Sequence, residues 1–331
     1  WDVGVLASRG LDVRSFGPAR RIDDDEFGMP NGDELRGGVH FPLCGYVPSP
    51  DLAARNLQTA ARATGLADCL FNATVVEIHR GPSGAVTGVG LADGTSISAP
   101  VVVNAAGPHS SLVTALAFPD ASENDMTITT RPMRQEVTYA PPPPEVTWCT
   151  GGADDLMITD LDTGVYLRPE NAGDKLLIGT VEPACDEPYH RYPADPEAVY
   201  PGGSEASLTE QWTNQLYRAA LRLPSLPLPS SGDTQGITAC YDVTEDWVPI
   251  YDRSSLPGFY LAIGTSGNQF KCAGVAGRLM AEIIEATQSG RDLDASPLEL
   301  RLERIPGEHS ISSATFSRKR QLLQTSGSVL G

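Results

Sequence analysis

FYLAIGTSGNQFKCAGVAGRLMAEIIEATQ, residues 259–288, is the stretch that decides the fold of this chain. The apolar run 259–263 is typical of a buried strand. Gly264 and Gly267 then lie in a polar loop, and after Lys271 apolar residues recur four apart, which predicts a helix that begins near Lys271. A helix start carries unpaired N–H groups and the positive end of the helix dipole, so it favours an anion or an electron-rich ring edge.

The loop glycines have two explanations. Glycine lets a flat ligand approach the backbone closely, which predicts a cofactor-facing turn, but close packing of the strand against the helix explains them as well. A nucleotide phosphate loop is excluded, because Gly264-x-x-Gly267 is not G-x-G-x-x-G and no strand with an acidic residue follows the helix.

The amino-acid composition limits the kinds of molecule that the protein is expected to bind. A chain of 331 residues is long enough for two domains. Its net charge of −18 argues against nucleic acid or an anionic membrane, since both attract basic surfaces. No apolar run approaches the roughly 20 residues of a membrane span. The six cysteines and five histidines are scattered, which predicts no metal site and favours a reducing, cytoplasmic compartment.

The first half of the chain predicts a helix, a meander and a buried strand. Ser49 is a suitable N-cap for a helix over 51–64, with its inward face formed by Leu52, Ala53, Leu57, Ala60 and Ala61. Three strands at 73–80, 85–91 and 95–99 follow, joined by glycine turns. The strand 101–103 ends at Ala105-Ala106-Gly107, whose small side chains leave room for a ligand or, alternatively, for a closely packed helix.

The pattern of predicted secondary structure changes from about residue 118. Short strands are predicted at 127–130, 136–139, 164–168 and 175–180, with a helix at 205–221, which together indicate an antiparallel lobe. Strands at 237–241 and 247–251 lead back to residue 259. The basic cluster Arg318-Lys319-Arg320 near the end is typical of a solvated tail.

Two motifs in this order resemble the FAD-dependent D-amino-acid oxidase and sarcosine oxidase superfamily, which includes glycine oxidase and dimethylglycine dehydrogenase-like enzymes. They are VVNAAGP, at 102–108, and the G-x-S-G-x-x-F-K run at 264–271. The resemblance implies an α/β (α+β) fold, in which a Rossmann-like FAD-binding domain of glutathione-reductase type accompanies an antiparallel β-sheet substrate domain. The FAD-binding domain would comprise 46–117 and 236–331, and the substrate domain 118–235 with a contribution from 1–45.

The same resemblance implies that this FAD-binding domain is N-terminally incomplete. Members of the superfamily begin with a strand–G-x-G-x-x-G–helix unit that holds the FAD pyrophosphate, and the sequence contains no such unit.

The residues that the resemblance assigns to non-covalent FAD lie in three segments. Val75 matches a position whose backbone faces the adenine side, and Ala105, Ala106 and Gly107 match the strand end beside the cofactor. The loop along the pyrimidine edge of the flavin matches Gly264, Thr265, Ser266, Gly267, Asn268, Gln269, Phe270 and Lys271. The superfamily often has His-Gly where this chain has Asn268-Gln269. Some relatives attach FAD through a cysteine at the place of Ala239; Cys240 lies one step along the strand and points the other way, so no covalent link is predicted.

The resemblance also assigns a substrate site. Lys271 matches a lysine that pairs with the substrate carboxylate, and Tyr166 and Arg168 resemble a tyrosine and arginine that clamp it. The planar guanidinium suits bidentate binding of a carboxylate. Arg134 is a weaker candidate, with a surface salt bridge as its alternative role.

Together these residues predict an FAD-dependent oxidoreductase that oxidises the C–N bond of an amino acid or N-methyl amino acid, with a small amine as its partner. Two alternatives remain: a non-catalytic scaffold with the same fold, and a flavoenzyme that acts on a 2-hydroxy acid.

Overall fold

The chain forms two compact units in the computed structural model, which describes residues 1–190, 192–229, 235–303 and 306–330. The first unit comprises Trp1–Cys69, Arg134–Arg191 and Glu197–Ala239. The second comprises Leu70–Met133, Tyr192–Pro196 and Cys240–Gly331. This division groups residues 46–69 with the first unit and 118–133 with the second, whereas the sequence places the boundaries near 117 and 235.

Six α-helices lie in the described residues: α1 (Val3–Ser8), α2 (Pro50–Ala63), α3 (Ser110–Ala117), α4 (Pro196–Val199), α5 (Glu210–Arg222) and α6 (Ala273–Gln288). The predicted helix at 205–221 starts later than expected, because the side chain of Thr209 caps α5 by accepting from the N–H of Gln211. In the described part of the chain, none of the helices combines the length and apolarity that crossing a membrane requires.

The strands of the five-stranded sheet belong largely to the first unit. They are β5 (Thr130–Ala140), β6 (Ile158–Asp160), β7 (Val165–Glu170), β8 (Lys175–Thr180) and β9 (Gln235–Thr244). Their order is β6-β7-β8-β5-β9, and the pairs β6–β7, β7–β8 and β8–β5 are antiparallel, which confirms the predicted antiparallel sheet. The two strands predicted at 127–130 and 136–139 form the single strand β5, which runs through Pro132.

The remaining strands belong to the second unit. They are β1 (Val75–Arg80), β2 (Val86–Leu91), β3 (Ser96–Ser98), β4 (Val102–Asn104), β10 (Ile250–Arg253), β11 (Phe259–Ile263), β12 (Glu299–Arg301) and β13 (Ser310–Ser312). The order β1-β2-β3 confirms the predicted meander, and a separate sheet has the order β10-β11-β4. The buried side chains of β11 pack into two apolar clusters, one of which includes Leu279 and Ile283 of α6.

Helix α2 forms where it is predicted, but its apolar face is not buried. Ser49 caps it as expected, with its Oγ 3.2 Å from the N–H of Leu52. No residue of the helix is buried, and Leu52 and Leu57 are 56% and 58% exposed. The prediction that this face points inward is therefore wrong. The 3.6-residue periodicity does correspond to a helix, but among the described residues no other element covers its apolar face.

The solvated tail predicted around residue 318 is also wrong. The side chain of Arg318 is fully buried and pairs with Asp125, Asp252 and Asp294. Arg320 is buried in a two-bond pair with Asp246. Through the ion pairs of Arg318 and Arg320, the basic cluster therefore holds the C-terminal segment of the second unit against its core.

Candidate functional site

Both sequence motifs leave the same edge of one sheet. Strands β4 and β11 are parallel neighbours, with Phe259 opposite Val102 and Leu261 opposite Asn104. The segment that begins at Ala105 and the turn that begins at Gly264 therefore both start at the carboxyl edge of this pair. In α/β sheets this edge is where ligands usually bind.

The turn after β11 is shaped by protein packing. Gly264 and Gly267 have φ angles of 71° and 73°, in the region that favours glycine. A Cβ at Gly264 would collide with the methyl group of Thr244, and one at Gly267 would lie 2.6 Å from the ring of Tyr241. Both glycines are thus required by strand β9. The close approach of a ligand, which the sequence offers as one explanation, is not needed to account for them.

The turn continues into an open helix start. Among the described residues, the buried Nδ2 of Asn268 has no hydrogen-bond partner. Helix α6 has no side-chain cap at Cys272, and residues 273–275 are exposed. A Cβ at Gly274 or Gly277 would have no other atom within 4 Å. The N–H of Ala273 donates to the carbonyl of Phe270 in the preceding 3-10 turn, so the exposed helix start offers the positive end of its dipole beside an unused amide donor.

Lys271 lies just before this helix start and keeps donors to spare. Its Nζ donates to the carbonyl oxygen of Asn268 at 2.6 Å, and the residue is exposed. An ammonium group has three donors, so two of them are not used by this bond. Thr265 and Gln269 are half-buried, and Phe270 is 47% exposed.

The segment after β4 is held by a residue that the sequence analysis did not single out. Asn104 is buried; its Nδ2 donates to the carbonyl of Ser110 at 2.9 Å and its Oδ1 accepts from the N–H of Ala106 at 3.2 Å. Gly107 has a φ of 55° and open space where a Cβ would be. The asparagine is part of the VVNAAGP motif, so its position next to the small residues was the available signal.

Val75, the remaining residue assigned to the cofactor, is the first residue of β1. It is half-buried and opposite Leu91, and the register shifts between Val75 and Glu77. The next residue, Val76, is 47% exposed. Its predicted place beside the adenine stays a prediction.

Tyr166 and Arg168 lie in the first unit, on the half-exposed face of β7. Tyr166 packs flat against the neighbouring strand, because Gly179 opposite it leaves no Cβ in the way of the ring. Arg168 is 2.5 Å from Glu170 and lies 5.4 Å from the centre of the Tyr46 ring. These contacts are internal to the first unit, and the convergence of Arg168 with Lys271 of the second unit stays a prediction.

Glu170 also affects a third aromatic residue of this unit. Burial raises the pKa of Tyr139, and the negative charge of Glu170 raises it further, while Arg168 lowers it. Tyr139 therefore stays a neutral hydrogen-bonding group at neutral pH.

Arg134 is a structural arginine. It is buried, 2.5 Å from the buried Glu136, and donates to the carbonyl of Ser207 at 2.7 Å. Glu136 in turn accepts from the N–H groups of Thr209 and Trp212 at the start of α5. The alternative of a surface salt bridge for Arg134 is therefore wrong, because the pair is buried at a helix N-terminus.

Cys240 is half-buried on β9 and forms no disulfide. The second unit also contains Asp242 on the same strand, which contacts the turn after β11 and was missed in the segment ACYDVTEDW because its partners lie far along the chain.

In the described part of the first unit there are cavities apart from the residues assigned to FAD, and one of them includes the weaker candidate Arg134. One of about 450 Å³ is lined by Ser15, Asp33, Glu34, Leu35, Arg36 and Asp162. The other, of about 200 Å³, is lined by Arg134, Pro188, Tyr189, Thr209 and Glu210. Neither cavity is lined by a residue that the resemblance assigns to FAD, so neither adds to the candidate site.

Comparison with known proteins gives a family and a fold. The family model described as DAO, FAD dependent oxidoreductase, matches residues 5–283. A comparison with curated protein sequences finds no match.

Three solved structures are similar to this chain. L-proline dehydrogenase from P. horikoshii is 19% identical with a TM-score of 0.53, over 73% of this chain and 56% of that one. Glycine oxidase from Geobacillus kaustophilus is 21% identical with a TM-score of 0.50, over 79% and 59%. Iminodiacetate oxidase from Chelativorans sp. BNC1 is 14% identical with a TM-score of 0.51, over 71% and 54%. At these identities the likeness shows a shared fold, and the chain spans a little over half the length of each.

Proposed function

Because this chain belongs to the DAO family of FAD-dependent oxidoreductases, we propose that it oxidises the C–N bond of an amino acid or N-alkyl amino acid. One observation carries the proposal: two segments leave the carboxyl edge of the same parallel strand pair, and one of them runs into an exposed helix start without a side-chain cap. That arrangement suits an electron-rich ring edge.

The residues present fit a flavin. The unpartnered Nδ2 of Asn268 is a donor that an acceptor edge needs, and the exposed start of α6 adds the positive end of its helix dipole. Space is open over Gly107 and Gly274. We therefore assign the pyrimidine edge to 264–271 and the strand end beside the cofactor to 105–107. When bound, FAD would supply the oxidant that takes up a hydride from the carbon next to the amine nitrogen.

The protein's part in this reaction is binding and orientation. The start of α6 and Asn268 would favour negative charge at the ring edge that they contact. Lys271 and Arg168 would hold the substrate carboxylate, with Tyr166 beside it. Arg168 must share its guanidinium with Glu170, so we expect the substrate to compete with that carboxylate.

The pyrophosphate of FAD would be held by a glycine-rich strand–turn–helix unit that these 331 residues do not contain. Two uncovered surfaces support this proposal. Strand β4 is the last strand of its sheet among the described residues, and its Val103 is 40% exposed although both faces of a parallel sheet are usually covered. The leucines of α2 are likewise exposed. A cytoplasmic location and non-covalent attachment of FAD are part of the same proposal.

The test is colour. We expect the purified full-length protein to show the visible absorption band of oxidised flavin, to release that flavin on acid precipitation, and to bleach when an amine is added without oxygen. The panel should contain glycine, N-methylglycine, D-alanine, proline and a 2-hydroxy acid.

Two results would contradict the proposal. A full-length protein without flavin absorption would favour the scaffold alternative. Bleaching by the 2-hydroxy acid, with none of the amines active, would move the activity to the other flavoenzyme class.

A further inference from the structure

Tyr46 is half-buried in a segment that is otherwise exposed. Within residues 39–48, all of which the structure describes, every other residue is exposed. The centre of the Tyr46 ring lies 5.4 Å from the guanidinium carbon of Arg168, a distance at which a cation is attracted to the face of an aromatic ring. The ring therefore lies against one face of this guanidinium, and both residues belong to the first unit.

The hydroxyl group of Tyr46 is also bound within the first unit. It donates a long hydrogen bond, of 3.4 Å, to Oδ2 of Asp155, and the same oxygen accepts from the N–H of Gly151 at 2.9 Å. Gly151 packs closely on the turn between β7 and β8, since a Cβ there would collide with the carbonyl oxygen of Ala172. Asp155 thus connects Tyr46 to the hairpin that carries Arg168.

The other contacts of Arg168 leave one edge of its guanidinium free. Nη1 donates to the carbonyl oxygen of Pro169 at 3.0 Å and pairs with Glu170 at 2.5 Å. Nε and Nη2 make no hydrogen bond to the described residues, and the side chain is 16% exposed. The N–H groups on these two nitrogen atoms include a parallel pair, which matches the two oxygen atoms of a carboxylate.

We propose that Tyr46 is a positioning residue for the substrate: its ring covers one face of the Arg168 guanidinium and so holds the free Nε–Nη2 edge ready for a carboxylate. The inference rests on the proposed function, in which Arg168 binds the substrate carboxylate. A ring against the face of the cation restricts its motion without using any N–H donor, whereas Glu170 restricts it by using one. Because this ordering lowers the entropy cost of binding, loss of the ring should weaken binding.

The stacking is tested without turnover, by NMR of the arginine Nε–H groups in the presence of acetate as a carboxylate probe. Arg168→Met identifies the signal of Arg168. We expect Tyr46→Leu to shift this signal, because the ring is lost, and to raise the dissociation constant for acetate roughly threefold, the scale of one cation–π contact. Tyr46→Phe keeps the ring and should stay close to the wild type. An unchanged dissociation constant in Tyr46→Leu would overturn the inference.

Tyr189→Leu is the matched control. The ring of Tyr189 lies 5.3 Å from the guanidinium carbon of Arg21 in the same unit, so this variant removes an equivalent contact elsewhere. We expect it to leave the Arg168 signal and the dissociation constant for acetate unchanged. An equal effect in Tyr189→Leu would also overturn the inference, because the cause would then be a general loss of packing.

The role in substrate binding is tested by a double-mutant cycle on the flavin-loaded protein. Tyr46→Leu should raise the KM for the amine substrate roughly threefold with kcat unchanged, and it should have no further effect in the Arg168→Met background. Equal factors in the two backgrounds would overturn the positioning role, because Tyr46 would then act independently of Arg168.

The inference and the proposed function fail in different ways. A protein that oxidises amines, with a KM that does not respond to Tyr46→Leu, would keep the proposed function and overturn the role of Tyr46. A protein that binds acetate at Arg168 in a manner that depends on Tyr46, yet binds no flavin, would overturn the proposed function while supporting the positioning of Arg168.

Discussion

Two groups of basic side chains in this molecule differ in how completely they are paired. Arg318 of the second unit uses all five of its N–H donors, in five hydrogen bonds to Asp125, Asp252 and Asp294. Arg168 of the first unit is half-buried, and its hydrogen bond to Pro169 and its ion pair with Glu170 both use Nη1. Lys271 donates to one carbonyl.

The difference separates structural cations from candidates for ligand binding. A guanidinium whose donors are all used inside the fold cannot bind a substrate without breaking that fold. Arg168 and Lys271 keep donors available, which is why they, and not the denser basic cluster at 318–320, are the cations we assign to a carboxylate. Substitutions of the two kinds of cation should therefore have different effects, on stability for Arg318 and on substrate binding for Arg168 and Lys271.

The largest effect is expected from Arg318→Ala. It leaves the buried Asp252 and two half-buried carboxylates without their shared cation, which should lower the free energy of unfolding by about 3 kcal/mol. Urea titration measures the change. Arg278→Ala, which removes an exposed pair with Glu282 on α6, should cost less than about 1 kcal/mol. Equal losses in both variants would mean that the buried network is not structural.

Lowering the pH should weaken the ion pairs around Arg318 and so lower the stability of the protein. Burial alone would raise the pKa of Asp125, but hydrogen bonds and charges from Arg318 and Lys319 lower it from 3.8 to about 2. The folded state thus favours the ionised form, so this stabilisation is present above pH 3.8 and is lost as the pH falls towards about 2.

We expect urea midpoints measured across that window to fall more steeply for the wild type than for Asp125→Asn. Parallel curves for the two proteins would contradict the assigned pairing.

The available cations should instead affect substrate binding. Lys271→Met and Arg168→Met should each raise the KM for an amino-acid substrate roughly tenfold with little change in stability, because each removes a charged hydrogen bond to the carboxylate. Lys319→Met, at an exposed lysine of the same unit as Lys271, is the control and should leave KM unchanged. A KM that does not respond to Lys271→Met would remove that lysine from the site.

The smallest effect is expected from Glu170→Gln. This change removes the internal competitor for Arg168, so the KM for a carboxylate substrate should fall roughly threefold, in line with the modest strength of a partly exposed ion pair. Steady-state kinetics beside Glu282→Gln, which alters an ion pair on α6, supplies the comparison. A higher KM would indicate that Glu170 itself binds the substrate.

Local patterns predicted much of the fold. The strand, turn and helix around Gly264 and the meander at 75–98 follow from periodicity and turn residues within short windows. The small residues after β4 were recognised, although their parallel neighbour β11 lies more than 150 residues away.

What the sequence did not predict depends on partners that are distant along the chain. The burial of Arg318 requires carboxylates at 125, 252 and 294, and the contact of Asp242 with the turn after β11 requires Gly264 and Ser266. The prediction for α2 failed for a different reason. Its regular apolar periodicity is a local feature, and it does not imply that the apolar face is buried. Periodicity reports which face is apolar, and only the surrounding structure determines whether that face is covered.

The position of Arg318 late in the chain has a consequence for biosynthesis. Residues 1–239, which include the whole of the first unit, leave the ribosome before the second unit is complete. Strands β4, β10 and β11 of the second unit all precede residue 318, yet Asp125, Asp252 and Asp294 lack their shared cation until the guanidinium is added. A chain stalled short of that residue therefore contains all of the first unit but leaves the buried Asp252 of the second unit without its cation, which should destabilise that unit.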